Sequence, residues 1–83
     1  MAYHVEYKSS VLRDLNHLDR HLAERIIREI EETIGSDPDC GEPLAGEFKG
    51  LFKYRIGEYR VVYARYPDSA LILRIGQRKS VYR

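Results

Sequence analysis

The sequence predicts an α+β domain in which two helices cover one face of a small, mainly antiparallel sheet. Three observations carry this expectation. Two-residue alternation opens the chain over 2–7, with Tyr3, Val5 and Tyr7 on one side and Ala2, His4 and Glu6 on the other. Apolar residues then recur at spacings of three and four between Val11 and Ile34. Alternation returns from Leu51 onwards, broken by Gly57-Glu58 and by Pro67-Asp68-Ser69. The expected order is β-α-α-β-β-β, in one domain spanning 1–83, because a chain of 83 residues supports one modest core.

Each element has its own signal. Ser9 and Ser10 are candidate caps for a first helix carrying Val11, Leu12, Leu15 and Leu18. Asp19 is a second N-cap candidate, opening a longer helix with the stripe Leu22, Ala23, Ile26, Ile27, Ile30 and Ile34. Gly35 and Asp37-Pro38 mark its end, and the short connection predicts a helical hairpin. Residues 35–50 read as a loop, with Leu44 and Phe48 as candidate anchors into the core. Strands follow at 51–56, 59–66 and 70–75, and Gly57-Glu58 has glycine where a type II′ hairpin turn needs it. Residues 76–83 are left as a basic tail. Helices on one sheet face leave the other face for solvent or a partner.

Charge divides the chain. Residues 1–48 carry 5 Lys/Arg against 11 Asp/Glu, a net of −6; residues 49–83 carry 9 against 2, a net of +7. Five tyrosines, Tyr54, Tyr59, Tyr63, Tyr66 and Tyr82, are interleaved with the cations of the second part. An ordered surface of arginines and aromatics suits a polyanion, RNA above all. The alternative is a solvated sheet face that balances an acidic helix. The N-terminus lacks the basic start and apolar run of a signal peptide, and no stretch approaches the ~20 apolar residues of a membrane span. With a single cysteine, Cys40, these features predict a cytoplasmic protein without membrane association.

Lys53 and Arg55 lie two apart and share a strand face, while Phe52, Tyr54 and Ile56 face the core. Arg60 reaches the same surface across the turn, and Arg78 and Tyr82 follow in the tail. These five are the candidate site, with Lys49, Lys79 and Arg83 as further candidate phosphate contacts. The opposing reading is of ordinary exposed cations with their stems on the sheet. RNA cleavage by 2′-hydroxyl attack needs a base, an acid and stabilisation of a phosphorane, and arginine forks supply the last. His4, His17 and His21 all precede the basic part, so a histidine-pair mechanism is not expected. Glu47 is a candidate carboxylate base, or else a loop surface residue. Cys40, among Asp39, Gly41 and Glu42, reads as an unreactive thiol, since the carboxylates raise its pKa. His17 and His21 have the spacing of a helical metal pair, but Asp19 interrupts the helix between them.

The run LAGEFKGLFKYRIGEYRVVYARY and the later LILRIGQRKSVYR resemble the RelE/ParE superfamily of bacterial and archaeal toxins, most nearly its RelE branch. Pro43, Leu44 and Gly46 match the first motif; Gly50, Leu51, Lys53 and Arg55 the second; Gly57, Tyr59, Arg60, Val61 and Tyr63 the third; Gly76, Arg78, Val81 and Tyr82 the last. The resemblance implies a RelE-like fold and the toxin of a type II toxin–antitoxin system. It implies a ribosome-dependent endoribonuclease that cuts mRNA in the A site, without cofactor or metal. The implied partners are the ribosome with its mRNA and a RelB-like antitoxin encoded beside the toxin. By resemblance, Lys53 and Arg55 take base and charge-stabilising roles, Arg60 stabilises the transition state, Arg78 protonates the leaving group, and Tyr82 orients the nucleophile. Arg55 stands where the family usually has lysine, Gln77 where many members have histidine, and the Arg78–Tyr82 spacing is short. A ParE-like gyrase inhibitor and an inactive binding module of the same fold are the alternatives.

Overall fold

The computed structural model describes residues 3–44 and 50–77. β1 (His4–Tyr7) leads into α1 (Ser9–Asn16) and α2 (Arg20–Thr33). A 3₁₀ turn at Pro38–Cys40 precedes β2 (Glu42–Pro43), and β3 (Leu51–Ile56), β4 (Tyr59–Arg65) and β5 (Ser69–Gln77) complete the order. The five strands form one sheet in the order β1-β5-β4-β3-β2, with only β1 and β5 parallel. The expected α+β architecture is therefore present, enlarged by the two-residue β2 inside the stretch read as a loop.

The core lies between the helices and one sheet face. Val11, Ile26, Ile30 and Ile34 are fully buried and cluster with Val61, Tyr63, Ala70, Ile72 and Ile75. The stripe on α1 is Val11 and Leu15, continued by Leu18 just past its end; Leu12, expected to join it, is 57% exposed. A helix turns about 100° per residue, so Val11 facing the sheet carries Leu12 outward.

One further expectation is corrected at the helix ends. The N-cap of α1 is Lys8, and Ser9 and Ser10 lie within the first turn. The Ser10 hydroxyl instead donates to the Leu73 carbonyl at 3.0 Å. Asp19 does cap α2, its carboxylate accepting from the His21 backbone N–H at 3.1 Å.

That serine contact belongs to a larger device. β1 pairs with β5 only from Ser69 to Ile72, and beyond that point no strand among the described residues pairs with this edge of β5. α1 covers it: Ser10 takes the Leu73 carbonyl and the Asp14 carboxylate takes the Ile75 N–H at 2.9 Å. Side chains thus satisfy backbone groups that a strand would otherwise pair. β5 is also longer than the 70–75 expected, because its pairing with β4 continues to Gly76 and Gln77.

Leu44 is half-buried at the sheet edge, outside the central cluster, its N–H donating to the Leu51 carbonyl. The anchor of this segment is Pro38, fully buried. Phe48 lies outside the described residues.

Candidate functional site

The β3–β4 hairpin builds the site. Gly57 has φ +60° and no non-glycine residue among the described ones has positive φ, the pattern of a type II′ turn across Gly57-Glu58. This turn sets Ile56 opposite Tyr59, and the register then places Arg55 opposite Arg60 and Lys53 opposite Val62. Phe52 and Ile56 pack towards the core, so Lys53, Arg55 and Arg60 share the outer face. Two arginines directly across a ladder repel, a local cost of a few tenths of a kcal/mol to about 1 kcal/mol. A costly arrangement of this kind is expected where an anion is to be bound.

The outer face is a recess, contrary to the open surface expected. Arg60 and Lys53 are half-buried, the Arg60 Nε is shielded from solvent, and Val62 beneath them is 6% exposed. Arg55 is exposed but held, its Nε donating to the Gly57 carbonyl at 2.9 Å. Lys53, Arg55 and Arg60 line a cleft of about 320 Å³ together with Cys40 and Glu42.

Glu42 is the residue that reading the sequence missed. β2 pairs Glu42 with Lys53, so a carboxylate stands beside the cations. A two-residue edge strand containing proline has almost no sequence signal. Its position depends on a buried tyrosine. Tyr63 is fully buried and stacks on Phe52 at 5.7 Å; its hydroxyl donates to the Pro38 carbonyl at 2.6 Å and accepts from the Gly41 N–H at 3.1 Å. Burial, reinforced by the Cys40 and Asp39 charges, pushes the Tyr63 pKa up to about 12, so the hydroxyl remains a donor. The Cys40 thiol is also pushed up, chiefly by burial and further by Asp37 and Asp39, in the direction expected.

The structure brings together Lys53, Arg55 and Arg60. The other expected site residues, Arg78, Tyr82, Lys49, Lys79 and Arg83, lie outside the described residues, as does Glu47. His17 caps the end of α1 and His21 sits in α2, so the helix is broken between them as expected. No group of three or more His, Cys, Asp or Glu among the described residues is placed to hold a metal ion. None of the described helices is long and apolar enough to cross a membrane.

Residues 5–82 match the model of a family described as the ParE toxin of type II toxin–antitoxin systems. The chain belongs to the RelE/ParE family of type II toxin–antitoxin toxins. The toxin is 35% identical over 63 residues to Toxin RelE of Mycobacterium tuberculosis, a match covering 75% of this chain and 65% of that protein. The chain therefore matches slightly under two thirds of that relative's length. Among solved structures, the toxin–antitoxin complex RelBE2 of M. tuberculosis superposes with a TM-score of 0.89 at 27% identity, over 94% of this chain and 93% of that one. The archaeal RelE–RelB complex of Pyrococcus horikoshii has the same fold, with a TM-score of 0.76 at 24% identity over 98% and 100% of the two chains.

Proposed function

We propose that this toxin is a ribosome-dependent endoribonuclease that cuts mRNA in the A site and is held inactive by a RelB-like antitoxin. The observation that carries the reading is the convergence of Lys53, Arg55, Arg60 and Glu42 on one cleft. In the reaction, the ribose 2′-oxygen attacks the adjacent phosphorus, its proton passes to a base, and the P–O5′ bond breaks to leave a 2′,3′-cyclic phosphate. Among the described residues Glu42 is the carboxylate that lines the cleft, and it takes that proton beside Lys53, whose charge balances its own. Arg55 and Arg60 face each other across the hairpin and present their forks to the non-bridging oxygens as negative charge builds on the phosphorane. Arg78 and Tyr82 retain, by resemblance, the roles of leaving-group acid and orienting group.

These residues supply strong charge stabilisation but modest proton transfer. Alignment of the 2′-oxygen with phosphorus is worth up to roughly 7–11 kcal/mol, and a ribosome that holds the codon supplies it. The test is single-turnover cleavage of mRNA on programmed ribosomes. The toxin should cut there and leave naked RNA intact, and Arg60→Ala should lower the rate by roughly 10²-fold or more. Parental rates in that variant would sink the assignment. The antitoxin reading follows from charge: an acidic segment is attracted by the +7 part of the chain. Rescue of growth by the adjacent gene, with co-purification of its product, tests it.

The matching family description, a ParE toxin, favours a second reading as a non-enzymatic gyrase inhibitor. Loss of supercoiling by purified gyrase, with ribosome-bound mRNA intact, would establish that reading in place of the first.

A further inference from the structure

The outer face carries a fourth cation that the proposed reaction does not use. Arg74 on β5 lies opposite Val62, so Lys53, Val62 and Arg74 form one row across the sheet, and Arg55, Arg60 and Gly76 form the next. The ladder shifts between Val62 and Tyr63, which inserts Leu73 as an extra residue and re-aims the side chain after it. Arg74 consequently leans to the strand edge, where its Nε meets the Asp14 carboxylate at 3.1 Å. Asp14 already accepts the Ile75 N–H, which fixes it in place. Asp14 is the only charged partner of Arg74 among the described residues, and the arginine side chain remains 42% exposed.

Arg74 stands over two adjoining hollows, each of about 290 Å³, that share Asp14 and His17. One extends to Tyr59 and Gly76, the other to Arg13. Gly76 borders this hollow and lies directly across from Arg60, so β5 itself puts no side chain between Arg60 and the hollow at that point. Arg74 is the diagonal neighbour of Arg60 on the adjoining strand, roughly 7–8 Å away.

We propose that this groove is a second RNA subsite, in which Arg74 holds a phosphate next to the scissile one, reached from the cleft over Gly76. It rests on the endoribonuclease reading and deepens it. Pairing through Nε leaves the Nη donors of the guanidinium for phosphate oxygens, and Asp14 sets their direction. Tyr59 and the exposed His17 offer ring surface to the adjoining base.

The test is equilibrium binding of a short RNA made uncleavable by 2′-deoxy substitution at the scissile nucleotide, measured over a range of salt. Arg74→Ala should weaken binding roughly tenfold and lower the salt slope by about one. Arg74→Lys should keep the slope. Asp14→Asn preserves an acceptor for the Ile75 N–H and removes a competing charge, so it should tighten binding. Replacing single phosphates of the RNA by neutral methylphosphonates should weaken binding to the parent at one position next to the scissile phosphate, and leave Arg74→Ala indifferent there. The subsite is overturned if Arg74→Ala binds like the parent. It is also overturned if Asp14→Asn weakens binding alongside it, which would make the pair purely structural, or if the parent does not bind the RNA at low salt. Arg60→Ala is the control for the cleft: if it has no effect on binding or on ribosomal cleavage while Arg74→Ala weakens binding, the catalytic assignment fails and the subsite stands.

Discussion

The hydroxyl of Tyr63 donates to the carbonyl oxygen of Pro38 across 2.6 Å, from a side chain with no exposure to solvent. The same oxygen accepts from Gly41, so one atom in the core fastens the segment that carries Glu42. Tyr63→Phe leaves a buried carbonyl and an N–H without this partner and should cost about 1–3 kcal/mol. Denaturant unfolding measures this, and an unchanged midpoint would show that the hydroxyl bears none of the segment's stability.

Alkaline pH should act through the same group. The Tyr63 pKa stands at about 12 in the folded protein, against about 10 in the unfolded chain. Tyr7 is raised too, by burial first and by its 2.6 Å hydrogen bond to Glu31. A raised folded pKa gives stability that is complete below the unfolded value and is lost as pH climbs through the folded one. With Cys40 raised as well, urea midpoints should hold to about pH 8.5, soften above it and fall most steeply between about pH 10 and 12. The fall should be shallower in Tyr63→Phe, and an equal slope would assign it to other groups.

Gly41 has no room for a side chain. A Cβ there would lie 2.5 Å from the Tyr63 hydroxyl and 2.7 Å from the Lys53 carbonyl, one held in the core and the other in the ladder. Gly41→Ala must push the segment outward, at about 1–3 kcal/mol. It should also reduce ribosomal cleavage at temperatures where the variant remains folded, because Glu42 follows directly. Full activity in a folded Gly41→Ala protein would remove Glu42 from the mechanism.

The two apolar residues Ile30 and Leu12 should behave oppositely. Ile30 is fully buried between α2 and the sheet, and Ile30→Ala should cost about 2–5 kcal/mol. Leu12 is 57% exposed, and Leu12→Ala should change stability by less than about 0.5 kcal/mol. Thermal melts of the pair decide whether the core has been drawn correctly.

Much of this was legible in the residues because it depends on local periodicity. The α2 stripe, the Asp19 cap, the Gly57 turn and the shared face of Lys53 and Arg55 each need only a few consecutive positions. Non-local pairings left no such mark. Ser10 looks like a cap until Leu73 is placed beside it, and Leu12 looks like core until the sheet fixes the rotation of α1. Glu42 reads as a loop carboxylate because its partner, Lys53, is reached through a strand of two residues. Nothing in the alternation singles out Arg74, since a ladder shift cannot be read from alternation alone.

The placement of β5 has a consequence for how the chain is made. The last described strand fills the position between β1 and β4, and His4 at one end of the chain finds its partner in Ser69 near the other. Synthesis runs from the N-terminus, so the helices and the β3–β4 hairpin emerge before the strand that joins them to β1. Until then Ser10 and Asp14 have nothing to hold, and the half-made sheet lacks its middle. Closure across so long a separation is a late, all-or-none event. A chain still being translated thus lacks the strand that joins its two halves, and the sheet closes only once β5 has emerged.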